Sequence, residues 1–203
     1  YKLILLLTEN NKPAATVGTL ILGLNPNFLY LSTTPMTEPV LIASFTLSVF
    51  FLAKYIKTKE ILNLILGGIF VMASTLVRYD GWFLFICLTL LLLVWSLIAL
   101  GKKKAEGIVL LFISIGGFGI VLWLLWNLTI FGDALYFIRG PYSAYVQQKV
   151  LRSVGQLPTE GNILLSLSYY IWSVIENNGF IIALLSLAGF TATPFIIKSK
   201  QQI

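Results

Sequence analysis

Long runs without a charged residue alternate with short charged clusters along the whole chain. The four longest uncharged runs cover residues 13–37, 82–101, 107–132 and 177–197. A helix needs about 20 predominantly apolar residues to cross the hydrocarbon core of a bilayer. Each of these runs is therefore long enough to predict one membrane-spanning helix.

Two shorter apolar runs, 39–53 and 61–77, reach the length of a span when the lysines or the arginine beside them extend to the membrane interface. The pattern then predicts six spans. Leu3–Leu7 is wholly apolar and is expected to be the tail of a seventh span. Because the chain opens inside an apolar run and without Met, we expect a fragment of a longer polytopic protein, with any leader upstream.

Composition agrees with a bilayer as the solvent. Hydrophobic residues make up 58% of the 203 residues and charged residues only 11%, whereas soluble domains carry about 25% charged residues. The mean hydropathy of +0.90 also lies outside the soluble class. The predicted fold is an all-α, polytopic transmembrane helix bundle that forms one domain over residues 1–203.

The few charges are unevenly divided between alternate span ends. Four lysine-rich clusters carry nine basic and three acidic residues, and they cover 9–12, 54–60, 102–106 and 198–200. The connections at the other span ends carry four basic and five acidic residues. Since basic residues favour the cytoplasmic side, the pattern places the lysine-rich clusters there. The basic balance is thus a topology signal, and no nucleic-acid partner is expected.

The segment 133–178 is predicted to be one long outside loop. Its apolar part, 163–176, is short, contains tyrosines and a tryptophan, and ends in a polar stretch. A span at this position would move Lys198 and Lys200 to the outside. This composition instead favours a helix that lies in the membrane interface with aromatic anchors.

The chemistry available to the chain is narrow. It has no His, and its one Cys, Cys87, lies inside an apolar run. A His-based metal site, a Cys-His nucleophile pair, a Ser-His-Asp triad and a disulfide within the chain are therefore excluded. No metal or cofactor is required by the sequence. Carboxylates, arginines and aromatic residues on the outside face remain.

The first outside turn, 24–39, ends in Thr37-Glu38-Pro39. One interpretation is that Thr37 or Glu38 caps the next helix and that Pro39 occupies its first turn. The other is that Glu38, a carboxylate at a membrane boundary, belongs to a functional site.

The second outside turn is Arg78-Tyr79-Asp80-Gly81-Trp82. Arg78 and Asp80 could simply pair with each other, with Trp82 as an interfacial anchor. A short turn of this kind also presents a cation and an acceptor to a ligand, and Gly81 permits close approach.

The third outside segment combines aromatic rings with a guanidinium and amides. Such groups suit a sugar ring and a phosphate, although an interfacial aromatic belt would account for some of the rings. The candidate binding residues here are Arg139, Tyr142, Tyr145, Gln147 and Gln148.

Taken in order, these segments resemble the GT-C membrane glycosyltransferases. The resemblance covers nearly the whole chain and is closest to bacterial and archaeal relatives of the protein O-mannosyltransferases and the aminoarabinose-lipid A transferase. The residues that carry it are Asn25 to Tyr30, Thr34 to Pro39, Arg78 to Trp82, Trp126-Asn127 and Phe131 to Phe137.

The resemblance implies an enzyme that transfers a sugar, such as a mannose-like hexose, from a polyprenyl-phosphate carrier to an acceptor on the outer face, with inversion. The usual base of such enzymes is an acidic residue in a first outside loop, which would lie upstream of Tyr1. Glu38 and Asp80 are then supporting catalytic candidates. Arg78 and Arg139 would stabilise the leaving phosphate, and Tyr79, Trp82, Tyr142, Tyr145, Gln147 and Gln148 would contact substrate.

Two other classes stay open at this point. A transporter usually has ionisable groups near the bilayer midplane, and the six proposed span interiors contain none; a facilitator needs none. A non-catalytic scaffold or lipid-binding subunit is the other alternative. The expected partners are a polyprenyl-phosphate-linked sugar and membrane lipid, and the expected location is a prokaryotic plasma membrane.

Overall fold

The protein is helical throughout the residues that the structure, a computed structural model, describes, which are 1–200 of the backbone and the side chains of 1–191. Helix accounts for 82% of residues, and no strand occurs in that part of the chain. The predicted all-α class is confirmed. The side chains of Lys198 and Lys200, assigned above to a cytoplasmic cluster, lie outside the described residues.

Eleven helices follow one another along the described chain. They are α1 (Lys2–Leu7), α2 (Lys12–Gly23), α3 (Pro26–Thr33), α4 (Glu38–Thr58), α5 (Ile61–Val77), α6 (Asp80–Leu100), α7 (Lys102–Phe131), α8 (Tyr136–Arg139), α9 (Ala144–Ser153), α10 (Ile163–Asn178) and α11 (Phe180–Lys200).

Three helices, α4, α6 and α7, are each long and apolar enough to cross a membrane. Two further candidates are bent pairs: α2 and α3 meet at 57°, and α10 meets the Phe180–Thr191 part of α11 at 110°. Counting each pair as one span gives up to five. α5 is apolar but has only 17 residues, so the count of six spans stays a prediction.

The chain divides into two compact units, Tyr1–Gly140 and a second that begins at Pro141, and each is described by itself. In the first unit α5 packs against α4, α6 and α7. The connections are short: Lys59 and Glu60 join α4 to α5, and Gly101 alone, with a φ of 79°, joins α6 to α7. Short connections of this kind make consecutive helices antiparallel neighbours.

The core of the first unit is formed where small residues let the helices approach closely. Ser48 of α4 donates a hydrogen bond of 3.0 Å to the Gly67 carbonyl of α5. A Cβ on Gly119 of α7 would lie 2.2 Å from Oγ1 of Thr75 and 2.7 Å from the Met72 carbonyl oxygen. The buried apolar residues around these contacts are Leu52, Tyr55, Leu64, Val71, Leu84, Leu88, Leu92, Val109 and Phe112.

The structure differs from a single straight helix over 13–37 followed by a turn, because the chain bends between α2 and α3 and α3 lies within residues 24–39. The Asn25 side chain accepts a hydrogen bond of 3.0 Å from the Phe28 N–H, and a proline occupies the first turn. Asn followed by Pro is a helix-start signal, since the amide caps a free N–H and Pro lacks one.

The second unit contains α9, α10 and α11. The helix predicted over 163–176 is present as α10, which begins with the Asn162 side chain accepting from the Leu165 N–H at 3.0 Å. It ends at Gly179, whose φ is 82°. The predicted loop 133–178 therefore contains three helices, α8 to α10, rather than one, and the interfacial position of α10 stays a prediction.

Candidate functional site

One arginine joins the ends of three helices in the first unit. Arg78 follows the last residue of α5, while Glu38 and Asp80 are the first residues of α4 and α6. Its Nε lies 2.8 Å from Oδ2 of Asp80, and its Nη1 donates to Oε1 of Glu38. The structure thus brings together three residues that were singled out from two separate turns. They are called the carboxylate–arginine trio below.

The charged groups of the trio are paired with one another. The pKa of Arg78 is raised, mainly by its hydrogen bond to Asp80 and then by the charges of both carboxylates, while burial opposes the rise. With both carboxylates ionised, the trio carries a net negative charge. The guanidinium of Arg78 therefore binds two carboxylates of the protein and is not free to bind an anionic ligand.

Glu38 keeps one carboxylate oxygen for other chemistry. Its Oε2 is buried and has no hydrogen-bond partner among the described residues. Thr37, the residue before α4, makes no side-chain capping bond, so capping by Thr37 is not what the structure forms. A buried acceptor without a partner favours a ligand that can donate a hydrogen bond to it.

The rings of Tyr79, Trp82, Trp123 and Phe137 form an aromatic cluster beside the trio. Tyr79 stacks on Phe137 with ring centroids 5.0 Å apart, and it meets Trp123 edge to face at 5.9 Å. Trp82 meets Phe137 at 5.4 Å and donates from Nε1 to the Thr75 carbonyl at 3.0 Å. Burial raises the pKa of Tyr79, and the neighbouring Trp123 opposes this. Tyr79 and Trp82 thus contact other side chains of the protein.

The turn that carries Arg78 and Asp80 is held tightly against α5. A Cβ on Gly81 would lie 2.2 Å from the Ser74 carbonyl oxygen and 2.7 Å from the Thr75 nitrogen. The close approach that Gly81 permits is therefore to the backbone of α5. This contact limits the positions that Arg78 and Asp80 can adopt.

Of the two arginines in the first unit, Arg139 is the more exposed. Its Nη1 lies 3.3 Å from Oδ2 of Asp133, and its side chain is 67% exposed. Asp133 also accepts a hydrogen bond of 2.9 Å from the Leu135 N–H. Phe137, from the same short helix α8, stacks on Tyr79, so α8 lies beside the turn that carries Arg78.

An apolar hollow of about 430 Å³ adjoins the aromatic cluster. Trp123 belongs to both features, and Leu76 lies two residues before Arg78. The hollow is lined by Leu76, Leu122, Trp123, Leu125, Trp126 and Thr129.

Trp123, Phe137 and Asp133 were not singled out from the sequence as site residues. Trp123 and Trp126 follow the three-residue spacing of one helix side, which is the signal that could have indicated the hollow.

The remaining predicted residues lie in the second unit. Tyr142 is 87% exposed, and its carbonyl accepts a hydrogen bond of 3.4 Å from the Gln147 amide. The Tyr145 ring lies 4.5 Å from the ammonium of Lys149. Gln148 is exposed. These residues are described within that unit alone.

Within the described part of the chain, no group of three or more His, Cys, Asp or Glu residues could hold a metal ion. No protein-family model matches the sequence, and no curated protein or solved structure does either.

Proposed function

We propose that the chain belongs to an integral-membrane glycosyltransferase of the GT-C type, which moves a sugar from a polyprenyl-phosphate carrier to an acceptor on the non-cytoplasmic face. The observation that carries the proposal is that the aromatic cluster connects three features: its Tyr79 lies between Arg78 and Asp80 of the trio, its Trp123 lines the apolar hollow, and its Phe137 belongs to the helix of Arg139. A lipid-linked sugar has the matching parts: an apolar chain, an anionic phosphate and a hydroxylated ring.

The apolar hollow would take the first part of the polyprenyl chain. Its volume of about 430 Å³ lies within the range of pockets that bind small molecules. The rings of Trp123 and Trp126 and the leucines around them offer apolar surface. The single hydroxyl, of Thr129, adds little polarity.

Arg139 would face the phosphate. A phosphate gains negative charge as the glycosidic bond breaks, so a cation placed there stabilises the transition state. Arg139 meets one carboxylate at 3.3 Å, whereas Arg78 is held by two. The geometry therefore favours Arg139 as the phosphate ligand and gives Arg78 the task of orienting Glu38 and Asp80.

Glu38 would accept a hydrogen bond or a proton from a sugar or acceptor hydroxyl through its unpartnered Oε2. Its Oε1 stays with Arg78, which holds the carboxylate in position. In the GT-C enzymes that the chain resembles, the principal base is an acidic residue of the first outside loop, so Glu38 and Asp80 are given supporting roles.

The six-span topology is part of the proposal. The spans would be the α2–α3 pair, α4, α5, α6, α7 and α11, in a prokaryotic plasma membrane with the lysine-rich clusters inside. The 110° angle between α10 and the start of α11 supports an interfacial α10, because a helix at that angle to a span runs nearly along the membrane surface.

Transfer assays in proteoliposomes of the full-length protein test the proposal. Radiolabelled polyprenyl-phosphate hexoses serve as donors, and native membrane extracts supply the acceptor. Glu38→Gln is expected to lower the transfer rate at least about tenfold, a change of 1.4 kcal/mol in activation free energy. Glu106→Gln, in the lysine-rich cluster at the start of α7, is the matched control and is expected to keep the wild-type rate.

Two results would contradict the proposal that the protein is a glycosyltransferase. The first is a wild-type rate in Glu38→Gln. The second is a wild-type protein that binds the carrier but transfers none of the hexoses tested, which would indicate a lipid-binding subunit instead.

A further inference from the structure

Helix α9 of the second unit has one apolar side and one polar side. Its valines recur every fourth residue, at Val146, Val150 and the terminal Val154, so they lie along one side of the helix. Leu151 borders this row. The rest of the helix surface is polar: Gln147 and Ser153 flank the valine row, Lys149 lies at its edge, and Tyr145, Gln148 and Arg152 lie opposite. Because residues three or four apart face the same way, this division is a property of the helix.

The apolar side of α9 is open. Val150 and Val154 are 56% and 60% exposed, and Leu151 is 38% exposed. Within residues 141–191, no other helix packs along α9. The helix nevertheless has a defined start, because the Ser143 hydroxyl accepts from the Val146 N–H at 3.2 Å. An exposed apolar row bordered by polar residues is typical of an interaction surface.

The length and charge of α9 indicate what covers that row. At 1.5 Å per residue its 10 residues extend about 15 Å, half the hydrocarbon thickness, so α9 cannot cross a bilayer. Its polar side is basic. Arg152 pairs with Glu160 at 2.7 Å, while Lys149 has no carboxylate within ion-pair distance among the described residues.

We propose that α9 lies along the boundary between headgroups and acyl chains, with Val150 and Val154 in the acyl region and Lys149 towards anionic headgroups. Amphipathic helices with basic polar sides bind in this way, and their affinity grows with buried apolar area and anionic lipid content. The inference stands apart from the proposed glycosyl transfer and needs only that the chain resides in a membrane.

Site-directed spin labelling of the full chain in vesicles tests this inference. Single cysteines at Val150 and Gln148 are introduced in a Cys87→Ala background, and collision rates are measured with oxygen and with a water-soluble nickel complex. Both positions are exposed, so either label is compatible with the fold. Gln148 serves as the matched control from the opposite side.

The label at Val150 is expected to collide several-fold more with oxygen, and several-fold less with nickel, than the label at Gln148. Equal access of nickel to both labels would place α9 in water and overturn the inference. Shielding of Val150 from both reagents would show a protein partner on the valine row and would overturn it as well.

The headgroup preference is tested with phosphatidylcholine vesicles prepared with and without phosphatidylglycerol. The Val150 label is expected to lie deeper when phosphatidylglycerol is present, and Lys149→Gln is expected to abolish the difference. A depth that is the same in both lipids, for the protein with Lys149 intact, would contradict the role given to that lysine.

Discussion

Glu38 and Arg78 lie 40 residues apart in the chain, and Nη1 of Arg78 donates a hydrogen bond to Oε1 of Glu38. The same guanidinium lies 2.8 Å from Asp80. One side chain therefore links the start of α4, the end of α5 and the start of α6. This link gives the candidate site its geometry, since each carboxylate is held by the same planar group.

Arg78→Ala is expected to destabilise the first unit by about 1 kcal/mol, because partly exposed ion pairs contribute little individually and two carboxylates are left facing one another. Arg78→Lys should restore only part of the loss, since an ammonium lacks the planar fork that contacts both. Chemical unfolding in detergent measures the difference. Arg152→Ala removes the more exposed pair with Glu160 and is the control; equal losses in the two alanine variants would contradict the linking role of Arg78.

Gly119→Ala is expected to lower the free energy of unfolding by about 1–3 kcal/mol, because the added Cβ meets the backbone of α5 and the helices must separate. Gly117 lies two residues away on α7, and its Cβ would reach only the Phe85 ring at 3.4 Å.

Gly117→Ala should therefore leave stability within about 0.5 kcal/mol of the wild type. The two variants are compared by thermal unfolding in the same detergent. A tolerated Gly119→Ala would show that α5 and α7 are not as close as the structure has them.

The Tyr79 phenol gives stability a dependence on alkaline pH. Burial raises its pKa in the folded state above the ordinary value, so the neutral phenol favours folding. This contribution is complete below the unfolded pKa of about 10 and is lost as pH rises through the higher folded value. The unfolding free energy of the wild type should therefore fall relative to Tyr79→Phe above about pH 10. A difference that stays constant from neutral to alkaline pH would contradict this.

The apolar runs predicted much of the fold because a helix that crosses a bilayer needs about 20 predominantly apolar residues, which are visible in the sequence. The helices α4, α6 and α7 fall where uncharged or nearly uncharged runs indicate them, and α10 begins at the predicted residue. The bend between α2 and α3 was not predicted, because an uncharged run gives no sign of a bend. The signal for that bend was local, in Asn25 and Pro26.

The residues of the candidate site were predicted, and pairing of Arg78 with Asp80 was one of the two interpretations, but the pairing of Arg78 with Glu38 was not predicted. Glu38, Arg78 and Asp80 were all singled out, yet a partner for Arg78 at a separation of 40 residues depends on which helix ends meet. The role of Phe137 could not be predicted for the same reason, since its contact with Tyr79 forms only when α8 folds back on the α5–α6 turn. Charge and periodicity describe single helices, whereas these contacts depend on how helices pack.

The proposed topology places the α6–α7 connection inside and the α9–α10 connection outside. Single cysteines at Lys103 and Gln156, both exposed, are introduced in a Cys87→Ala background and treated with a membrane-impermeant maleimide on intact cells. Gln156 is expected to be labelled and Lys103 only after lysis. Labelling of the cysteine at Lys103, and not of the one at Gln156, in intact cells would show that the topology is the reverse of the proposed one.

The affinity of the full-length protein for polyprenyl phosphate, compared with its affinity for the uncharged polyprenol, tests the account most directly. Both share the apolar chain, so the ratio isolates the contribution of the phosphate, and the Arg139 variant shows how much of it that side chain supplies. The wild type is expected to prefer the phosphate by about tenfold or more, equivalent to 1.4 kcal/mol, and Arg139→Gln should lose that preference while Lys103→Gln keeps it. Equal affinity of the wild type for the two lipids would contradict the proposed site.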